Sequence, residues 1–207
     1  MGGKMGHGKL LGFAGTLALT LLAAPAAWAA PHVHDGFYLE PQLGFGYLST
    51  TAEAGGIEVE YSGMTVATGL LIGGSPMDGL AIGGGFITDQ AAGPSVSVDG
   101  QDLGSDSDVS LYLIGMGMFA DFYPDPTDGL HFQLFFGWGG LEATYQGDAG
   151  GSDPTGLVMS LAGGYEWWVS DEWSIGVLGR IAYAPLSLDD VDYTTWAPAV
   201  LASFTFH

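Results

Sequence analysis

The sequence predicts an all-β fold, an eight-stranded antiparallel transmembrane β-barrel of up-and-down meander topology. Three observations carry this. Stretches of about ten residues repeatedly place large apolar side chains on one parity and Gly, Ala, Ser or an occasional charge on the other, the period of a strand with two unlike faces. The apolar parity is too continuous and too aromatic for the wet side of a soluble sheet, and suits a face turned to lipid. The connections alternate between short and long, as in outer-membrane barrels with tight periplasmic turns and larger outer loops.

The N-terminus reads as a secretory signal. Lys4 and Lys9 are its basic region, Leu10 to Ala23 its apolar region, and Ala27-Trp28-Ala29 its small-residue cleavage site. This predicts a leader over 1–29 and one barrel domain over 30–207.

Strand one, 36–48, sends Phe37, Leu39, Leu43, Phe45 and Tyr47 outward and Glu40, Gln42, Gly44 and Gly46 inward. In strand two, 64–73, Val66, Leu70 and Ile72 face out. Strand three, 79–88, turns Gly83 and Gly85 inward. Strand four, 108–122, has Tyr112, Ile114, Met116 and Met118 outside, with Asp121 inside. Strand five, 129–141, alternates Phe132, Leu134, Phe136 and Trp138 with His131, Gln133, Gly137 and Gly139. Strands six (156–168) and seven (172–184) place Glu166 and Arg180 inward, opposite Met159, Leu161, Ile175, Val177 and Ile181. Strand eight, 195–206, ends with Val200, Phe204 and Phe206 outward. Every charge within a strand body falls on the glycine-rich parity. Aromatics gather in two belts, one including Phe37, Phe122, Tyr123, Trp167 and Trp173, the other Tyr47, Phe86, Trp138, Tyr183 and Trp196, as rings at two water interfaces do. Short turns fall at 74–78, 123–128 and 169–171, and long loops at 49–63, 89–107, 142–155 and 185–194. An even strand number puts both termini on the periplasmic side.

Charge narrows the functions. The chain has 3 Lys+Arg against 23 Asp+Glu, and Arg180 is the one strong cation beyond the leader. Nucleic-acid binding needs clustered Lys and Arg and is excluded. With no cysteine, stability must come from elsewhere than disulfides.

These features make the mature chain resemble the small eight-stranded outer-membrane barrels, the OmpX/Ail, OmpW and OmpA transmembrane-domain group. The last strand, with Val200, Ala202, Phe204 and Phe206 alternating toward lipid, looks like the assembly signal of that class, although His207 follows the terminal aromatic. The resemblance implies contact with outer-membrane lipid and lipopolysaccharide, a barrel-insertion machinery as assembly partner, and a monomer. Barrels of this size that modify lipid A use a His base beside a Ser near the outer rim. Here His32, His34, His131 and His207 all fall toward the periplasmic end, so no enzyme activity is expected.

Four groups remain as candidate sites. Inward Arg180 implies a polar plug with Glu40, Glu166, Asp121, Gln42, Gln133 and His131; its ion-pair partner is predicted to be Glu40 or Glu166. Above it, Leu48, Ile87, Val109, Leu111, Leu113, Val158 and Ala182 line an upper lumen, either core filling or a cup for a small hydrophobic molecule, as OmpW-like proteins are thought to use. The loops carry acids, Glu53, Glu58 and Glu60 in the first, Asp89, Asp99, Asp102, Asp106 and Asp108 in the second, Glu142, Asp148 and Asp153 in the third, Asp189, Asp190 and Asp192 in the fourth. No cofactor is expected, apart from divalent cations held at such loops, with Asp99, Asp102, Asp106 and Asp108 as candidate ligands. His32-Val33-His34-Asp35 offers imidazoles for copper or zinc, or is a plain polar lead-in. The expected role is structural or surface-interacting through four acidic extracellular loops; passage or binding of small apolar solutes is the alternative, and a soluble barrel of lipocalin type a third.

Overall fold

The computed structural model describes residues 32–105, 107–146, 148–149 and 153–207; the leader predicted over 1–29 lies outside them. Among the described residues eleven strands follow in chain order: β1 (Phe37–Ala54), β2 (Ile57–Met77), β3 (Leu80–Ala92), β4 (Ser95–Val98), β5 (Gln101–Ser105), β6 (Val109–Phe122), β7 (Leu130–Tyr145), β8 (Asp148–Ala149), β9 (Thr155–Trp168), β10 (Trp173–Leu188) and β11 (Val191–Phe206). Eight of them, β1, β2, β3, β6, β7, β9, β10 and β11, each pair antiparallel with the next, and β1 pairs with β11 from Leu39↔Phe206 to Glu53↔Asp192. That last pairing closes the wall and leaves no edge.

All eight predicted strands are present, but several run further at the long-loop end. The loop predicted at 49–63 is a paired hairpin, β1 to β2, in register up to Ala54↔Ile57. Gly55 and Gly56 close it with φ of 61° and 82°, the two positive angles of a tight turn whose twist matches its strands. The loop predicted at 185–194 is likewise hairpin, ending at Leu188↔Val191. Between β3 and β6 the chain makes a further hairpin, β4–β5, whose β4 lies against β2 from Val59↔Val98 to Ser62↔Ser95. In these extensions the outward face turns polar at Glu53, Glu58 and Asp192 while inward Leu186, Tyr61 and Tyr193 still meet the core, so the outer apolar stripe fades while backbone pairing continues.

The two faces are as unlike as the parity predicts. Phe45, Met118 and Val200 are 71%, 70% and 63% exposed, while Glu40, Asp121 and Arg180 are buried. Eight strands enclose a narrow lumen, and glycine fits where a side chain would not: a Cβ added to Gly117 would lie 2.3 Å from the Phe136 carbonyl oxygen and 2.4 Å from Gly137 Cα. Outside, Leu134 is paired with Leu161 on β9, and Leu161 with Ile181 on β10, forming a mid-height apolar row. Leu134→Arg is expected to cost about 2–4 kcal/mol in lipid, and the same change at exposed Tyr145 on the rim about 0–1 kcal/mol. Denaturant unfolding from vesicles checks this; equal costs would remove the lipid-facing assignment.

Candidate functional site

The lumen is built in layers. Its floor is a hydrogen-bonded plug on the short-turn side. Tyr38, on the inward parity of β1, donates its hydroxyl toward Glu40 Oε2 (2.6 Å) or Asp121 Oδ2 (2.7 Å). Gln133 Nε2 donates to Glu40 Oε2 at 2.8 Å and Gln42 Nε2 to Gln133 Oε1 at 3.0 Å. His131 Nδ1 sits 3.0 Å from Asp121 Oδ2, with both side chains fully buried. With Glu166 Oε1 at 3.9 Å from His131 Nε2, the six predicted plug residues other than Arg180 lie together.

Glu166 anchors the other half of the floor. Its Oε1 accepts the Tyr123 hydroxyl at 3.2 Å and Thr205 Oγ1 at 2.8 Å; its Oε2 accepts the Ser174 hydroxyl and lies 3.4 Å from His207 Nε2. His207 Nε2 is 3.0 Å from His34 Nδ1. The segment before β1 is thus no plain lead-in. The His34 ring stacks on Tyr123 with centroids 3.6 Å apart, and its Nε2 faces the Asp128 carbonyl oxygen at 3.2 Å. Burial first, then neighbouring His207, holds the His34 pKa down to about 3, so the imidazole is neutral. Exposed His32 stands aside, 4.0 Å from Asp171. Tyr123, assigned by sequence to the lipid-interface belt, is turned under the barrel instead, because its hydroxyl reaches Glu166.

Arg180 pairs with neither Glu40 nor Glu166. Its Nη2 donates to both Asp89 oxygens at 2.8 Å, across the lumen from β10 to β3, and both side chains are fully buried. Asp89 was expected in a loop. It lies on the inward parity of β3, which runs on to Ala92. A buried guanidinium takes the carboxylate at its own depth, and the floor acids lie below its reach.

Leu48, Ile87, Leu111, Leu113, Val158 and Ala182 are buried in one apolar cluster that continues to Leu141, Ala184, Leu186 and Ala197, with Tyr61 and Tyr193 packed against it; Val109 is half-buried. These side chains pack against one another.

At the long-loop rim the paired register sets acids side by side. Glu53 stands opposite Glu58 on β2 and opposite Asp192 on β11. Like charges directly across a ladder repel. Of the predicted loop ligands, Asp99, Asp102 and Asp108 each accept a separate hydrogen bond. Asp99 Oδ1 accepts the Glu58 amide, Asp102 Oδ1 the Gly104 amide, and Asp108 Oδ2 the Gln146 side chain; Asp106 lies outside the described residues. Among the described residues, the His/Asp/Glu group close enough to hold an ion is His34, Glu166 and His207. Sequence reasoning missed Asp89, Tyr38, Ser174 and Thr205 as site residues. Parity carried a signal for all four.

No protein-family model and no curated protein matches the chain. Among solved structures, Neisserial surface protein A is similar, with 17% identity, a TM-score of 0.51, and coverage of 83% of this chain and 96% of that one. OprG, an outer membrane protein from Pseudomonas aeruginosa, is 11% identical with a TM-score of 0.51, covering 86% of this chain and 99% of that one. At such identity the likeness speaks to the fold, and the chain has the fold of the small eight-stranded outer-membrane β-barrels.

Proposed function

We propose that this protein is a non-enzymatic, monomeric outer-membrane barrel that holds rigid acidic hairpins at the cell surface to engage a cationic partner. The row Glu58–Glu53–Asp192, set in register on three paired strands, carries the reading. Folding such a row has a repulsive cost, and a basic surface or diffuse divalent cations relieve it. The hairpins stay hydrogen-bonded beyond the apolar zone, so the acids are held in place before a partner arrives. In this orientation the floor and both termini face the periplasm and the apolar belt meets lipid and lipopolysaccharide. Val200, Phe204 and Phe206 on β11 are offered to the insertion machinery. The buried floor and the Arg180–Asp89 pair favour a closed lumen. Use of the upper lumen for small apolar solutes is the second reading, and it would need the cluster around Leu113 to open.

The test pairs conductance with binding. The barrel in planar lipid is expected not to conduct and not to retain a hydrophobic fluorescent probe, but to bind a lysine-rich peptide with salt-sensitive affinity. Glu53→Gln with Glu58→Gln should weaken that binding about three- to tenfold, two exposed pairs at about 0.3–0.7 kcal/mol each. Retention of the probe with no peptide binding would favour the solute reading.

A further inference from the structure

We propose that His34, His207 and Glu166 form a site for one divalent transition-metal ion of zinc type at the floor of the barrel. All three side chains are buried, at 1%, 2% and 2% exposure, and one donor atom from each lies within 4.8 Å of the others. They come from three separate places: the segment before β1, the last residue, and β9.

The donor geometry fits. His34 Nδ1 and His207 Nε2 are 3.0 Å apart, and His207 Nε2 and Glu166 Oε2 are 3.4 Å apart. Ligands at zinc–nitrogen and zinc–oxygen distances of 2.0–2.1 Å and tetrahedral angles stand about 3.3 Å from each other. The outer contacts are those that orient metal ligands. His34 Nε2–H donates to the Asp128 carbonyl at 3.2 Å, which leaves the Nδ1 lone pair directed at the cluster. The Tyr123, Thr205 and Ser174 hydroxyls fix the Glu166 carboxylate. Two imidazoles and one carboxylate are a borderline donor set, suited to zinc, copper, nickel or cobalt and unsuited to calcium or magnesium.

Charge points the same way. Glu40, Asp121 and Glu166 are all buried in the floor, while Arg180 is engaged by Asp89. Carboxyl groups packed together in a buried floor are relieved by protons, by the His131 imidazole beside Asp121 or by a bound ion. An ion there would tie the start of the barrel to its end, in a chain with no cysteine for a covalent link.

The test uses tag-free protein extracted from membranes, treated with chelator and dialysed. Zinc titration by calorimetry is expected to give one saturable equivalent. Cobalt(II) is expected to give the visible absorption of a tetrahedral nitrogen/oxygen site, and the unfolding midpoint should rise with zinc concentration. His34→Ala should lose the stoichiometric binding and the cobalt spectrum, while His32→Ala, at an exposed neighbour, keeps both. Cold and heated gel migration verifies that each variant is folded. Absence of saturable binding by folded wild-type protein would overturn the site. So would equal binding by His34→Ala, and His34–His207–Glu166 would then be a hydrogen-bonded chain alone. The wild-type cobalt titration decides even if His34→Ala fails to fold.

Discussion

Replacing Arg180 by Met is expected to destabilise the folded barrel by about 3–5 kcal/mol, the cost of stripping one partner from a buried ion pair. The size follows from where Asp89 would be left. Its carboxylate lies across the lumen, fully buried, held by both oxygens on one guanidinium nitrogen at 2.8 Å. Beside it Ile87, two residues earlier on the same strand, and Leu113, its register partner on β6, belong to the apolar cluster and offer no hydrogen bond. Arg180→Met with Asp89→Leu removes both charges and fills the space with carbon, so it should return to within about 1 kcal/mol of wild type. Denaturant unfolding in detergent, monitored by tryptophan fluorescence, measures both. A single variant that loses under about 1 kcal/mol would mean that lumen water solvates Asp89, and the closed-lumen reading would weaken with it.

That pair also marks how far the sequence alone could lead. Parity told which face each side chain takes: Arg180, Glu40, Asp121, His131 and Glu166 all lie inward as predicted. It did not tell which inward residues meet across the lumen. Arg180 on β10 and Asp89 on β3 are not neighbours in the wall, and their meeting depends on the stagger of the closed barrel, a property of all eight strands together. The strand ends were lost for a different reason. Thr50, Glu58 and Asp192 belong to paired strands, yet there the outward stripe is no longer apolar, and the two-residue period fades from the sequence. His34 and His207 were the hardest to place. Both lie outside the strands, where no periodicity says that a chain end folds back under the barrel.

Glu166 is where those ends are fastened, and Glu166→Leu is expected to cost about 3–5 kcal/mol, because several buried donors lose one shared acceptor. Oε1 serves Tyr123 from the turn after β6 and Thr205 on β11; Oε2 serves Ser174 on β10 and faces His207 at the chain end. Leucine supplies none of this and leaves the buried hydroxyls to find partners among carbon. Glu166→Gln keeps the volume and one acceptor oxygen. Its amide nitrogen must point at one of the two donor pairs, but hydroxyl oxygens can turn and accept, so the expected cost falls to about 1–2 kcal/mol. Both should be measured in chelator, so that loss of a bound ion does not add to loss of the hydrogen bonds. The heat-dependent gel shift is the second readout, since a loosened floor should lower the temperature at which the compact band disappears. If Leu and Gln cost the same, and both under about 1 kcal/mol, the floor is a passive filling, and the barrel stands on its closed hydrogen-bond ladder and its lipid-facing belt.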